Sequence, residues 1–169
     1  MVKRAMTRSF LEDAFAGESK AHMKYLIFAE KAEKDGLVNL ARMYKAIAHA
    51  EFTHARNHFK ALGYLGSTVE NLKSGADGEN FEIEEMYPVY KNSSEFQTES
   101  EAVRSCHFAL EAEKIHEKMY LDAIEVVKDG NDIKDSDFYI CNICGYTTED
   151  YLPEKCPVCG ASKELFMKF

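Results

Sequence analysis

The chain has 169 residues, which is enough for one ordinary domain and a small second one. Its formal net charge of -8 argues against nucleic acid or an anionic membrane as the main partner, because both would need clustered Lys and Arg. No apolar run of signal-peptide or membrane-spanning type occurs in the sequence, so we expect a soluble, cytoplasmic protein.

The composition changes near residue 130. Before this point the chain is rich in Ala, Glu, Lys and Leu, which favours helices, whereas four of the five cysteines come after it. A polar linker is predicted at Gly130–Asp137. We therefore expect two domains, an all-α four-helix bundle over residues 1–134 and a small metal-stabilised β/knuckle domain over residues 135–169.

The first two predicted helices cover about Thr7–Lys34 and about Leu37–Leu62. Apolar residues recur in both at steps of three and four. Glu18 lies on the apolar stripe of the first helix, and Glu51 and His54 lie on that of the second. Acidic residues are thus expected on buried faces.

A long glycine-containing crossover, residues 63–78, is predicted to lead to a shorter third helix that begins near Glu79 and bends at Pro88. The fourth helix is predicted from about Thr98 to Lys128. The third helix carries Glu82, and the fourth repeats the Glu-x-x-His pattern of the second. The repeated residues are Glu113 and His116.

The repeated pattern indicates a metal centre. Residues three apart on a helix share one face, so the Glu and His of each pair can reach the same ion. The expected convergent set comprises Glu18, Glu51, His54, Glu82, Glu113 and His116, with Glu79 one turn before Glu82. A single helix Glu is more often a solvated charge, but two matching Glu-x-x-His pairs make that interpretation weak. Mixed carboxylate and imidazole ligands favour a pair of iron or manganese ions over zinc.

The cysteine-rich tail predicts a second metal site. It contains the pairs Cys141/Cys144 and Cys156/Cys159, each followed by Gly. Two Cys-x-x-Cys turns can supply four thiolates to one tetrahedral ion. Such a site suits structural zinc or redox-active iron, and a di-metal bundle that needs electrons favours iron.

With these motifs in place, the whole chain resembles a rubrerythrin, a ferritin-like di-iron bundle followed by a rubredoxin-like domain. The motifs that carry the resemblance are AFAGES around Glu18, AEFTHA around Glu51 and His54, GENFEIEEMYP around Glu79 and Glu82, AEKIHEK around Glu113 and His116, and CNICGY and CPVCG in the tail.

The resemblance implies a peroxide reductase that acts in oxidative-stress defence. Two Fe in the bundle would reduce hydrogen peroxide to water, and one Fe held by the four cysteines would deliver electrons from rubredoxin or a nicotinamide-dependent reductase. It further implies that Glu79 replaces His54 as an iron ligand on oxidation, that Tyr25 and Tyr87 hydrogen-bond ligand carboxylates, and that the chain forms a homodimer in which helices can be exchanged.

Three other functions compete with this expectation. A ferroxidase that stores iron would not need a built-in electron donor. An oxygen-consuming oxidase would prefer dioxygen to peroxide. A non-enzymatic helical binding module with a structural zinc tail would be colourless.

Overall fold

Helices make up most of the chain up to Val127, and three short strands follow. The computed structural model describes residues 2–169, so Met1, the first residue of the predicted helical domain, lies outside the described part. Within it, no helix is long and apolar enough to cross a membrane. The helices are α1 (Ala5–Lys34), α2 (Val38–Leu62), α3 (Thr68–Phe81), a π-helical segment (Glu82–Met86), α4 (Tyr87–Phe96) and α5 (Ser100–Val127).

The chain divides into two compact units, the first ending at Gly66 and the second beginning at Ser67. In the first unit, α1 and α2 form a helical hairpin that reverses at Gly36, whose φ of 77° suits glycine. Small residues allow the two helices to approach closely. Ala29, Ala32 and Ala41 are at most 4% exposed, and together they form the buried core of this hairpin.

In the second unit, α3 corrects the prediction of a long crossover. Most of the predicted loop is helical, and α3 begins right after Ser67. The backbone N–H of Glu70 donates to Ser67 Oγ at 3.3 Å, and the Glu70 carboxylate accepts from the Ser67 N–H at 2.7 Å. This capping box satisfies two backbone donors at the start of the helix. It offsets part of the low helix propensity of Gly75 and Gly78.

The third predicted helix was also wrong in its start, since helical structure is continuous from Thr68 to Phe96. The predicted distortion at Pro88 takes the form of the π segment just before it. There the N–H of Tyr87 bonds to the carbonyl of Glu82, five residues back. Proline has no N–H and its ring clashes with the carbonyl four residues earlier, so an α-helix cannot pass through it undisturbed. The wider π turn absorbs this conflict.

Three short antiparallel strands, in the order β2-β1-β3, form the C-terminal sheet. They are β1 (Phe138–Cys141), β2 (Thr147–Glu149) and β3 (Phe166–Lys168). The sheet contacts α5 within the second unit. Phe108 of α5 packs against the cysteine cluster, and a Cβ at Gly145 would lie 3.7 Å from the Cβ of Ala112. The boundary at residues 134 and 135 stays a prediction.

Candidate metal centres

The four tail cysteines converge on one point. All five cysteines are free thiols, and the Sγ atoms of Cys141, Cys144, Cys156 and Cys159 lie within 4.8 Å of one another. The Cys141–Cys159 and Cys144–Cys156 sulfur pairs are 3.6 Å and 3.5 Å apart. Four sulfur atoms roughly 2.3 Å from a tetrahedral ion would be roughly 3.8 Å apart. The group therefore has nearly the size that a bound ion requires.

The surroundings of the thiols differ. Burial raises the pKa of Cys144 and of Cys159. Burial acts in the same sense on Cys156, but the backbone N–H groups of Cys159 and Val158 donate to its sulfur and hold its pKa below the ordinary value. These N–H donors come from the second Cys-x-x-Cys turn itself. The turn is thus built to stabilise a thiolate.

The first carboxylate cluster lies on the hairpin of α1 and α2. Glu18, Glu51 and His54 each place one ligand atom within 4.8 Å of the others. His54 Nδ1 is 3.1 Å from Glu51 Oε2 and 3.8 Å from Glu18 Oε1. Two ligand atoms about 2.1 Å from an ion and at a right angle would be about 3.0 Å apart. The three groups can therefore bind one cation with small adjustments.

The second carboxylate cluster lies in the second unit, where α3 packs on α5. Glu79, Glu113 and His116 form the same kind of group within 4.8 Å. His116 Nδ1 is 2.7 Å from Glu113 Oε2. Glu82, one turn after Glu79, belongs to neither three-residue cluster, but burial and the charge of Glu113 raise its pKa. The seven predicted ligands thus occur as one set in each unit.

The second cluster has the electrostatics of crowded carboxylates. Burial, followed by the charge of Glu113, raises the pKa of Glu79 to about 7. Burial and the charges of Glu82 and Glu113 likewise raise the pKa of Tyr87, which locates this predicted partner near the carboxylates. Negative groups repel one another at such distances, and a divalent cation would relieve the repulsion.

Sequence reasoning missed one contact of His116. Its Nε2 lies 2.8 Å from Oγ1 of Thr147, a residue of β2 that is only 4% exposed. The two residues are 31 positions apart, and no periodicity relates a helix to a strand that far along the chain. The only signal was that Thr147 follows the first Cys-x-x-Cys-Gly turn by two residues.

Tyr25, the other predicted hydrogen-bond partner of the ligands, and two residues with potential ligand atoms, His22 and Cys106, lie outside the three clusters. The Tyr25 ring stacks on Tyr44 with centroids 6.2 Å apart. His22 Nδ1 is 2.8 Å from the carbonyl oxygen of Ala48. Cys106 is half-buried in α5. The predicted bond from Tyr25 to a ligand carboxylate stays a prediction.

Comparison with known proteins bears on the whole chain. A family described as Rubrerythrin matches residues 9–124, and one described as Rubrerythrin, rubredoxin-like domain, matches residues 139–167. The chain belongs to the rubrerythrin family. Rubrerythrin-2 of Clostridium acetobutylicum is 46% identical over 182 residues that cover 99% of both chains. Nigerythrin of Nitratidesulfovibrio vulgaris is 35% identical and covers 94% of this chain and 84% of its own.

The solved structures agree with this membership. Nigerythrin in its fully reduced, all-ferrous state aligns with a TM-score of 0.57 at 31% identity, covering 99% of this chain and 89% of that chain. Nigerythrin in a mixed-valent state aligns with a TM-score of 0.55. The predicted fold class, a ferritin-like helical region followed by a rubredoxin-like domain, is confirmed. Membership of this family makes the chain an oxidoreductase-type protein. The structure shows its carboxylate/His clusters and its four-Cys site.

Proposed function

We propose that the protein is a peroxide reductase that converts hydrogen peroxide to water at two iron ions, in oxidative-stress defence in the cytoplasm. The observation that carries this proposal lies in the second unit, where the four-cysteine group packs against α5 through Phe108. Glu113, a ligand of the proposed iron pair, follows five residues later on the same helix. An electron-carrying site next to a carboxylate/His cluster suits a reductase and has no use in iron storage.

The proposed ligands are the six residues of the two clusters together with Glu82. They are Glu18, Glu51, His54, Glu79, Glu82, Glu113 and His116. The ligand set of one Glu from each of two helices and Glu-x-x-His from the other two is that of ferritin-like di-iron proteins. The solved structure of all-ferrous nigerythrin supports iron as the metal here. When bound, the ferrous pair supplies the two electrons that, with two protons, convert one hydrogen peroxide into two water molecules.

Within this proposal, His54 is the ligand that leaves and Glu79 the one that replaces it on oxidation. His54 is the more loosely held imidazole, since 54% of its side chain is exposed against 29% for His116. In the described residues, hydrogen bonds of its ring involve Nδ1 and none involves Nε2. A ferric ion prefers a carboxylate oxygen to an imidazole, so the exchange follows the hardness of the ion.

We further propose a homodimer with exchanged helices. Leu40 and Ile47 lie on the α2 stripe that carries Glu51, and they are 36% and 37% exposed. Apolar residues exposed along a ligand-bearing stripe favour a protein surface as cover. A second copy of the chain, with the same pair of clusters, is the occupant we assign.

Subunit complementation tests this exchange. Chains carrying Glu51→Ala and Glu113→Ala are co-expressed with different tags, and the heterodimer is purified through both. With exchanged helices, one centre of the heterodimer receives an intact cluster from each chain, so about half of the wild-type activity returns. Without exchange, both centres keep one altered cluster and the heterodimer stays as inactive as the two homodimers.

Rubredoxin or a nicotinamide-dependent reductase is the proposed electron donor. Ile143, inside the first Cys-x-x-Cys turn, is 54% exposed and gives a donor an apolar surface beside the thiolates. Peroxide turnover with NADH should be compared for the reductase alone and for the reductase with rubredoxin. A rate that rises in proportion to added rubredoxin would identify rubredoxin as the donor.

Rapid mixing tests the reaction itself. The fully reduced, iron-loaded protein is mixed with equimolar hydrogen peroxide or dissolved oxygen, and the ferric-thiolate colour of the tail is followed. We expect the colour to return faster with peroxide. A preference for oxygen would instead support the oxidase or ferroxidase alternatives, and a colourless protein after iron loading would indicate a zinc tail.

A further inference from the structure

We propose that Thr147 is a positioning residue that determines which nitrogen of His116 faces the metal. The inference rests on the proposed function, because it concerns a ligand of the proposed iron pair. It goes beyond that function because it gives a side chain of the rubredoxin-like sheet a role at the carboxylate/His metal site of the helices, called the bundle centre below. Both residues lie in the second unit, and their contact belongs to that unit alone.

The hydrogen bonds of Thr147 decide the direction of its bond to His116. Its Oγ1 is 3.0 Å from the carbonyl oxygen of Gly145 and 2.8 Å from His116 Nε2. A carbonyl can only accept, so the single hydroxyl proton of Thr147 is donated to Gly145. With its proton used, the hydroxyl oxygen can only accept from His116, which requires a proton on Nε2.

This protonation state leaves the other nitrogen free for a cation. With its proton on Nε2, a neutral His116 has a lone pair on Nδ1. That atom lies 2.7 Å from Oε2 of Glu113, and an ionised carboxylate is also an acceptor. Two acceptors this close repel each other unless a proton or a metal ion lies between them. The pair is therefore prepared to bind a cation, with Nδ1 as the ligand atom.

Thr147 is itself held in place by the sheet. Thr147 is the first residue of β2, is paired with Ile140 of β1 and is 4% exposed. Its acceptor, Gly145, directly follows Cys144 and donates its own N–H to the carbonyl of Cys141 at 2.9 Å. The turn that holds two of the thiolates therefore also holds the imidazole ring. Partners of this kind orient metal-binding histidines in many proteins.

The experiment uses the full-length protein loaded with zinc, which is diamagnetic and keeps the centres visible to NMR. The probe is zinc alone, and the variants are Thr147→Val, of matched shape, Thr147→Ser, which keeps the hydroxyl, and Thr148→Val as the control on the same strand. The ring nitrogens of the histidines are labelled with nitrogen-15. The signals of His116 are assigned by their loss in His116→Gln. An intact four-cysteine site in each variant is checked through its thiolate absorption after cobalt substitution.

We expect the wild-type protein to show the ring proton of His116 on Nε2 and zinc on Nδ1. In Thr147→Val, exchange of that proton with water should be about tenfold faster, and zinc affinity of the bundle centre should fall about 10-fold to 100-fold. Thr147→Ser should restore both values, and Thr148→Val should match the wild type. If Thr147→Val does not fold, Thr147→Ala compared with Thr147→Ser gives the same contrast.

Two results would overturn the inference. One is a ring proton found on Nδ1 of His116 in the wild-type protein. The other is a Thr147→Val or Thr147→Ala protein whose proton exchange and zinc affinity equal those of the wild type. Neither readout depends on turnover. A wild-type protein that fails to reduce peroxide would refute the proposed function and leave the role of Thr147 standing.

Discussion

Two glycines of α3 offer a matched pair of substitutions. A Cβ at Gly75 would lie 3.1 to 3.2 Å from three ring atoms of Tyr120 on α5, whereas a Cβ at Gly78 would meet nothing within 4 Å. Alanine favours a helix interior over glycine by about 1 kcal/mol, so Gly78→Ala should stabilise the protein by about that amount. At Gly75 the same gain is opposed by an overpacking cost of about 1 to 3 kcal/mol.

The two alanine variants should therefore differ by about 1 to 3 kcal/mol, with Gly78→Ala the more stable. For a chain of this length, each kcal/mol shifts the Tm by about 2 to 4 °C. Thermal unfolding followed by far-UV circular dichroism, at one fixed metal loading, measures the order. A Gly75→Ala protein as stable as Gly78→Ala would show that Tyr120 moves aside freely and that the close contact of α3 with α5 does not fix their spacing.

Three further predictions concern the metal centres and the pH dependence. Cys156→Ser should lose the tail metal and keep the bundle metals, which metal analysis and the visible spectrum together can check; loss of both would contradict two separate sites. Glu79→Ala should still bind two metals but reduce peroxide at least about tenfold more slowly, and an unchanged stopped-flow rate would exclude the proposed ligand exchange. The hydrogen bond to Glu12, together with burial, raises the pKa of Tyr64. The stabilising effect of this hydrogen bond is therefore complete below the unfolded pKa of about 10 and is lost as the pH rises through the higher folded pKa. The difference in Tm between wild type and Tyr64→Phe should accordingly be present at pH 8 and vanish in strong alkali.

The sequence predicted the long helices well because their apolar residues recur with helical period. The predicted starts of α1 and α2, Thr7 and Leu37, differ from the observed Ala5 and Val38 by one or two residues. The predicted start of the third helix, near Glu79, is wrong, because a glycine such as Gly75 indicates a loop. In the structure its missing side chain makes room for the Tyr120 ring, and that need cannot be seen without knowing which helix lies opposite.

The candidate sites show the same limit. Spacing alone was enough to group Glu51 with His54, and Glu113 with His116, because each pair lies on one turn of one helix. The link between His116 and Thr147 joins a helix to a strand. Such a link depends on how the sheet packs on α5, which tertiary contacts decide and local pattern does not.

The π segment at Glu82–Met86 fixes the rotation of α4 relative to α3. A π turn holds one residue more than an α turn, so it sets the rotational phase between the residues before it and those after it. An α-helical segment of the same length would turn everything beyond it by about 100° relative to Glu79. Substitutions that let the segment become α-helical should therefore misplace the helix beyond it, whereas deletion of one residue there should keep that helix in phase.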